Sequence, residues 1–340
     1  MLMGFKVANS VTPEYAVFGK LPRNADFVRI NSMHPAVQEF DLVVAESMAW
    51  ARLQASWTDE GYRGAEACEF HFVSRDGRWV FFGVLKPSAD AAGRCYPLVA
   101  GIVLPASDLA DHAFVLPLAS ELFFSALREQ LANAIENSCE LLSCRQFLDS
   151  QLSIQHRHAA DVELASAVLD RHLTQTLASS LHSELLGSGC GGLEAQLLAF
   201  IFYAPLLRRY AGSAPRQVLL IPLPEGSSDC SLGLATWLAL YRAACPQARN
   251  AMPHWVVFDR QGRRQVALAP EQLSSRILCG AWGGTPEPAA VIDILEERPP
   301  WMLHQSYAEA SYILGRQLAD PGLSLYSLRE ILGQLALSVA

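Results

Sequence analysis

The chain has 340 residues, long for one domain and comfortable for two. Its 51% hydrophobic and 18% charged content is enough for packed cores and carries no disorder signature. The net charge of −8 argues against a general nucleic-acid binder, and no run reaches the ~18 consecutive apolar residues of a membrane span.

Met1 to Ser10 lacks a long apolar core, so no signal peptide is expected and the chain reads as cytoplasmic, with no membrane insertion. Residues 14–105 alternate elements. A first strand ends at Phe18 and runs into the dense loop Phe18-Gly-Lys-Leu-Pro-Arg-Asn-Ala-Asp-Phe-Val-Arg29. Pro35 to Trp57 sets Val37, Phe40, Val43, Val44, Met48, Trp50 and Ala51 at helical intervals. Cys68–Ser74 and Arg78–Leu85 flank Arg75-Asp76-Gly77, a hairpin signal. The hairpin's second strand leads into Leu85-Lys-Pro-Ser-Ala-Asp-Ala-Ala-Gly-Arg-Cys-Tyr-Pro-Leu98, a second charged loop, and Pro97 to Leu104 is again a strand.

From Leu116 to about Asp149 the pattern is helical, with Leu122, Phe123, Leu127, Leu131 and Ile135 on one apolar stripe. His158 to Leu186 reads as a second long helix. Gly187 to Gly192 reads as a connector, and Leu193 to Tyr210 as a third helix placed in a core. The second half returns to strand, helix and hairpin: Gln217–Leu223, Leu232–Ala244, then His254–Asp259 with Gln265–Leu268 around Arg260-Gln-Gly-Arg. Met302 to Ala340 reads as two helices separated by Asp320-Pro-Gly. The expected fold class is α/β, tending to α+β. A mixed, largely antiparallel sheet is flanked by helices, with a second smaller α/β unit and extra helices.

Reactive chemistry finds little support. Gly19-Lys20 lacks the upstream glycine and following Ser/Thr of a phosphate loop. The glycines at 187–192 follow a helix, so the dinucleotide fingerprint lacks its strand. There is no G-x-S-x-G elbow. His156 and His158, two apart on a helix, point to different faces and read as solvated. His254 reads as the first residue of a strand. The eight cysteines are scattered without C-x-x-C and are expected to be reduced, mostly buried thiols. No catalytic residue, metal or cofactor is expected.

The charged residues of the two loops carry the interest. Asp26, Arg29, Asp90 and Arg94 read either as a constellation facing a partner or as an internal Asp–Arg network tying the loops together. The internal role is favoured for Asp90 and Arg94. Lys20, Arg23 and Arg29 are expected to stay solvated as a contact surface, and Phe18 and Phe27 to anchor the core.

Both loops resemble the TagF/ImpM family, accessory proteins of bacterial type VI secretion clusters. That family shows F-G-K-x-P followed by G-D-F-x-R, then P-S-x-D-x-x-G-R-x-[FY]-P-L. This chain has Phe18, Gly19, Lys20, Pro22, Asp26, Phe27 and Arg29, then Pro87, Ser88, Asp90, Gly93, Arg94, Tyr96, Pro97 and Leu98. Ala25 stands where the family has glycine, so the first loop is expected to turn differently there. The resemblance covers roughly residues 14–105, with a looser likeness in the second half, and the pattern of elements divides the chain into a TagF-like α/β domain (1–115), a helical segment (116–215), a C-terminal α/β part (216–301) and a helical tail (302–340). The resemblance implies a non-enzymatic, post-translational repressor of secretion that binds and sequesters a forkhead-associated scaffold protein. Candidate partner contacts are Lys20, Arg23, Asp26 and Arg29. The alternative is a structural adaptor that joins components of the apparatus.

Overall fold

The computed structural model describes residues 14–137, 140–153, 158–188, 191–205, 217–224, 227–245, 252–260, 262–294 and 299–339. Eight strands form one sheet: β1 (Glu14–Gly19), β2 (Val28–Ile30), β3 (Cys68–Val73), β4 (Trp79–Lys86), β5 (Leu98–Pro105), β6 (Leu219–Pro222), β7 (His254–Arg260) and β8 (Arg263–Ala269). Their order is β2-β1-β5-β4-β3-β7-β8-β6, and every strand pair is antiparallel.

Helices cover both faces, which is why the central strands read as nearly continuous apolar runs. Side chains alternate across the sheet with a period of two. Val80, Phe82 and Val84 enter one core, whereas Phe81 and Leu85 enter the other. The smaller core is closed by α1 (Pro35–Arg52), followed by the short α2 (Asp59–Arg63). Pro35 opens α1 behind a His34 cap that accepts from the Ala36 amide, and Phe40 stacks on Phe70 at 4.2 Å. The helix ends at Arg52, short of the Trp57 that periodicity reached, and Thr58 caps α2 instead.

The larger core holds α3 (Ala106–Leu109), α4 (Leu116–Ala119), α5 (Glu121–Glu136), α6 (Leu141–Ser153), α7 (His158–Gln175), α8 (Ala178–Gly187) and α9 (Leu193–Leu198). A π-helical turn, Ala199–Tyr203, extends α9. Next is α10 (Ser227–Ala244); α11 (Ser275–Leu278) crosses to the smaller core, and α12 (Tyr307–Leu318) and α13 (Leu325–Val339) return. No helix among the described residues is long and apolar enough to cross a membrane.

Several expectations are corrected. The helix expected over Leu116 to Asp149 is three pieces. Its buried stripe is Phe124, Leu127, Leu131 and Ala134, while Leu122 is 84% exposed. A helix that begins at Glu121 is rotated by the face that meets β4, and Phe82 packs edge-on against Phe124. The helix expected over His158 to Leu186 is broken at Thr176–Leu177. The tail supplies the reason. Leu323 and Thr176 carbonyls accept from Ala178 and Leu325 amides, so the broken turn's backbone is satisfied by residues 145 or more positions away. The second α/β unit builds no separate sheet, because β7 pairs with β3 and continues the first one. His156 lies outside the described residues, as do Cys139 and Cys190; the other six cysteines are buried thiols.

Candidate functional site

Antiparallel order brings the end of β1, the end of β4 and the start of β5 together, so both charged loops leave one end of the sheet side by side. Gly19 makes that meeting feasible. It has φ +131°, and a Cβ there would lie 2.0 Å from the Pro97 carbonyl oxygen. Pro97 and Pro87 are buried beneath the second loop, and Pro22 is exposed on the first.

Asp90 is the centre of the junction. Its Oδ2 accepts from Lys20 Nζ at 3.0 Å and Arg94 Nε at 2.6 Å, and its Oδ1 from the amides of Ala92 and Arg94 at 3.0 and 2.9 Å. Burial pushes this carboxyl up, but the Lys20 and Arg94 donors outweigh it and hold the group well below the usual carboxylate range. The turn is closed by Gly93, at φ +80°, whose amide donates to the Asp90 carbonyl at 2.9 Å.

Three successive carbonyls of the second loop each meet a cation. Arg63 donates to Gly93, Lys20 to Arg94 and Arg52 to Cys95. Ser88 bridges the loops: its hydroxyl donates to the Lys20 carbonyl at 2.7 Å, and its amide donates to the Tyr62 hydroxyl at 3.2 Å. Arg94 then reaches back to the Ala25 carbonyl at 3.0 Å. Ala25 itself takes no positive φ, so the residue that replaces the family glycine sits in ordinary backbone.

Burial divides the four candidate contacts. Lys20 is 7% exposed and spent on Asp90, contrary to the expectation that it stays solvated. Arg23, Asp26 and Arg29 are exposed, and Arg29 reaches Asp41 at 3.6 Å. Phe27 is no core anchor. It is 39% exposed, held on the surface between Lys20 Nζ at 5.2 Å, Arg29 at 5.5 Å and the edge of Tyr96 at 4.9 Å. Phe18 is buried as expected.

Sequence reasoning missed Asp41, Arg52, Tyr62 and Arg63, all from α1 and α2. Tyr96 donates to Asp41, which fixes the aromatic side of the junction. None stands in a motif. Only the placement of two cations at helix ends hinted at the carbonyls they meet. Among the described residues no group of three or more His, Cys, Asp or Glu side chains could hold a metal ion.

Residues 16–151 match the family model of the TagF N-terminal domain, described as type VI secretion system-associated. The crystal structure of PA0076 from Pseudomonas aeruginosa PAO1 is similar at 20% identity and a TM-score of 0.24, over 35% of this chain and 61% of that one. The match thus spans about three-fifths of that protein's length. No curated protein matches. Residues 16–151, which carry both charged loops, are thus similar to the TagF N-terminal domain, type VI secretion system-associated.

Proposed function

We propose that the chain is a non-catalytic, cytoplasmic regulator that represses type VI secretion by binding and sequestering a forkhead-associated scaffold protein. The observation that carries the reading is the family match over the residues that form both loops. The loop junction supports it physically. The network anchored on Asp90 fixes the Ala25 carbonyl through Arg94 and sets Lys20 beside Phe27 on the loop that carries the exposed Arg23, Asp26 and Arg29, which lowers the ordering cost of docking. Support for a role without turnover comes from Asp90 itself, since a carboxylate kept ionised by fixed donors is a poor general base. Repression of this kind depends on copy number and affinity, and a total interface of ~1,600 Å² would suffice.

The test is affinity capture from the native bacterium with wild type beside an Arg23/Asp26/Arg29 triple-alanine variant. Recovery of a forkhead-associated protein by wild type alone is the expected result. Equal recovery by both moves the interface off this surface. Baseplate or membrane-complex components without the scaffold would overturn repression in favour of a structural adaptor.

A further inference from the structure

A cleft of about 650 Å³ opens between α10 and α13, and none of its lining residues comes from either charged loop. That volume lies within the ~300–1,000 Å³ range of small-molecule sites. Gly333 lines it and lets the helices run close: a Cβ there would lie 4.0 Å from the Ala243 carbonyl oxygen.

The charges that line the cleft come as two pairs of opposite sign. Arg242 meets Asp111 at 3.8 Å and Arg329 meets Glu330 at 3.6 Å, both long for an ion pair. The Asp111 and Glu330 side chains are 89% and 60% exposed, so their oxygens stay open to solvent. The two guanidiniums are accessible as well, but better held. Arg242 lies over the Phe114 ring at 4.8 Å and donates to the Asp111 carbonyl. Arg329 lies over the Tyr326 ring at 4.6 Å and donates to Asp170 at 3.0 Å. Fixed cations beside loosely paired, accessible carboxylates leave little ordering cost for a charged ligand.

Helix geometry sets the spacing. Arg329 precedes Gly333 by one turn, about 5.4 Å, and Arg242 adjoins the Ala243 that Gly333 approaches. The two pairs therefore lie roughly one to two turns apart. Leu337, one turn beyond Gly333, lines the same cleft and is 68% exposed, an apolar surface left uncovered.

Sign and spacing select the ligand. A simple anion would meet both arginines but be repelled by Asp111 and Glu330, and a simple cation the reverse. A free amino acid carries its two charges within one residue, about 3.5 Å, too close to use both pairs. The termini of a di- or tripeptide lie up to about 7–10 Å apart. Two acids, Asp170 and Glu330, share Arg329, so that end suits the ammonium, and the carboxylate falls to Arg242. We infer that the cleft binds a short zwitterionic peptide of two or three residues. Its ammonium donates to Glu330, its carboxylate accepts from Arg242 as the exposed Asp111 turns away, and an apolar side chain covers Leu337. The site stands independently of the partner reading above.

Isothermal titration of the full chain with Ala-Leu-Ala tests it, beside the N-acetylated peptide, the C-amidated peptide and Ala-Gly-Ala. The expected result is saturable binding of Ala-Leu-Ala, with each capped form roughly tenfold weaker, the loss of one charge-assisted contact. Ala-Gly-Ala should bind more weakly than Ala-Leu-Ala. Glu330→Gln, an exposed change, should weaken Ala-Leu-Ala roughly tenfold and leave the acetylated form unaffected. No saturable binding at millimolar peptide, equal affinity for free and capped forms, no preference for leucine, or unchanged affinity in Glu330→Gln would each overturn the inference. Should the variant misfold, the four peptides on wild type still decide.

Discussion

The loop junction and the centre of the sheet each bury a carboxylate beside an arginine, yet the two groups are pushed in opposite directions. Asp90 is held below the usual range because Lys20, Arg94 and two amides converge on it, against the upward push of burial. Glu69 on β3 is raised. Burial dominates there, and Arg128, its ion-pair partner, together with the more distant Arg264 does not offset it. The difference teaches that the number of fixed donors, rather than depth or the presence of one cation, sets the state of a buried acid. A loop can aim its own amides at a side chain. A strand interior has fewer to offer, because most of its amides are committed to the ladder.

The most damaging change to the junction side of this comparison is Gly19→Ala. Positive-φ strain and the backbone clash with Pro97 are expected to cost more than about 3 kcal/mol, read by chemical denaturation. A loss under about 1 kcal/mol would show that the two loops are not locked together.

Acid separates the two regions next. His71, beside Glu69 on the same face of β3, has a folded pKa of about 4 against an ordinary 6.5. Its neutral form stabilises the fold fully above pH 6.5. That contribution of roughly 3 kcal/mol is lost as pH falls toward 4. Glu69 runs the other way: with its folded pKa raised, its contribution is present below the unfolded value of about 4.3 and lost as pH rises through the folded one. Asp90 is lowered, so its contribution holds above pH about 4 and disappears only below that. Denaturation at a series of pH values should show a first loss above pH 4 that His71→Gln removes and a second, steeper loss below it that the variant keeps.

Removing each cation sharpens the contrast further. Lys20→Met should lower the melting temperature by several degrees at pH 5 and at pH 8 alike, since Asp90 stays ionised throughout. Arg128→Met should cost less at pH 5 than at pH 8, because Glu69 then takes up a proton more readily. Equal pH behaviour of the two variants would break the comparison. The smallest effect belongs to the surface. Arg29→Ala removes a half-exposed pair with Asp41 and should change stability by under about 1 kcal/mol, leaving any loss of partner capture attributable to the interface.

Much of the junction was legible early. The loops announced themselves by dense, chemically unlike residues after apolar strands, and the internal role favoured for Asp90 and Arg94 is what their geometry shows. Lys20 and Phe27 were misjudged for one reason. Exposure depends on what lies opposite, and the second loop lies opposite Lys20 whereas Phe27 meets two cations and the edge of Tyr96 and stays 39% exposed. The stripe on α5 slipped because Leu122 and Phe124 satisfy helical spacing about equally well, and only β4 selects between them.

By itself the sequence determined what local chemistry controls. The period-two strands, the Asp76-Gly77 hairpin turn, the helix opened by Pro35 and the motif residues of both loops all follow from neighbours a few positions apart. Tertiary structure decided what depends on distant partners. β7 joined the first sheet through an edge of β3 that β3's own sequence does not distinguish from any other. The break at Thr176–Leu177 was fixed by the tail's backbone. Glu69, His71 and Asp90 received their charge states from donors and walls that only folding brings to them, because hydrogen bonds and burial act through space and not along the chain.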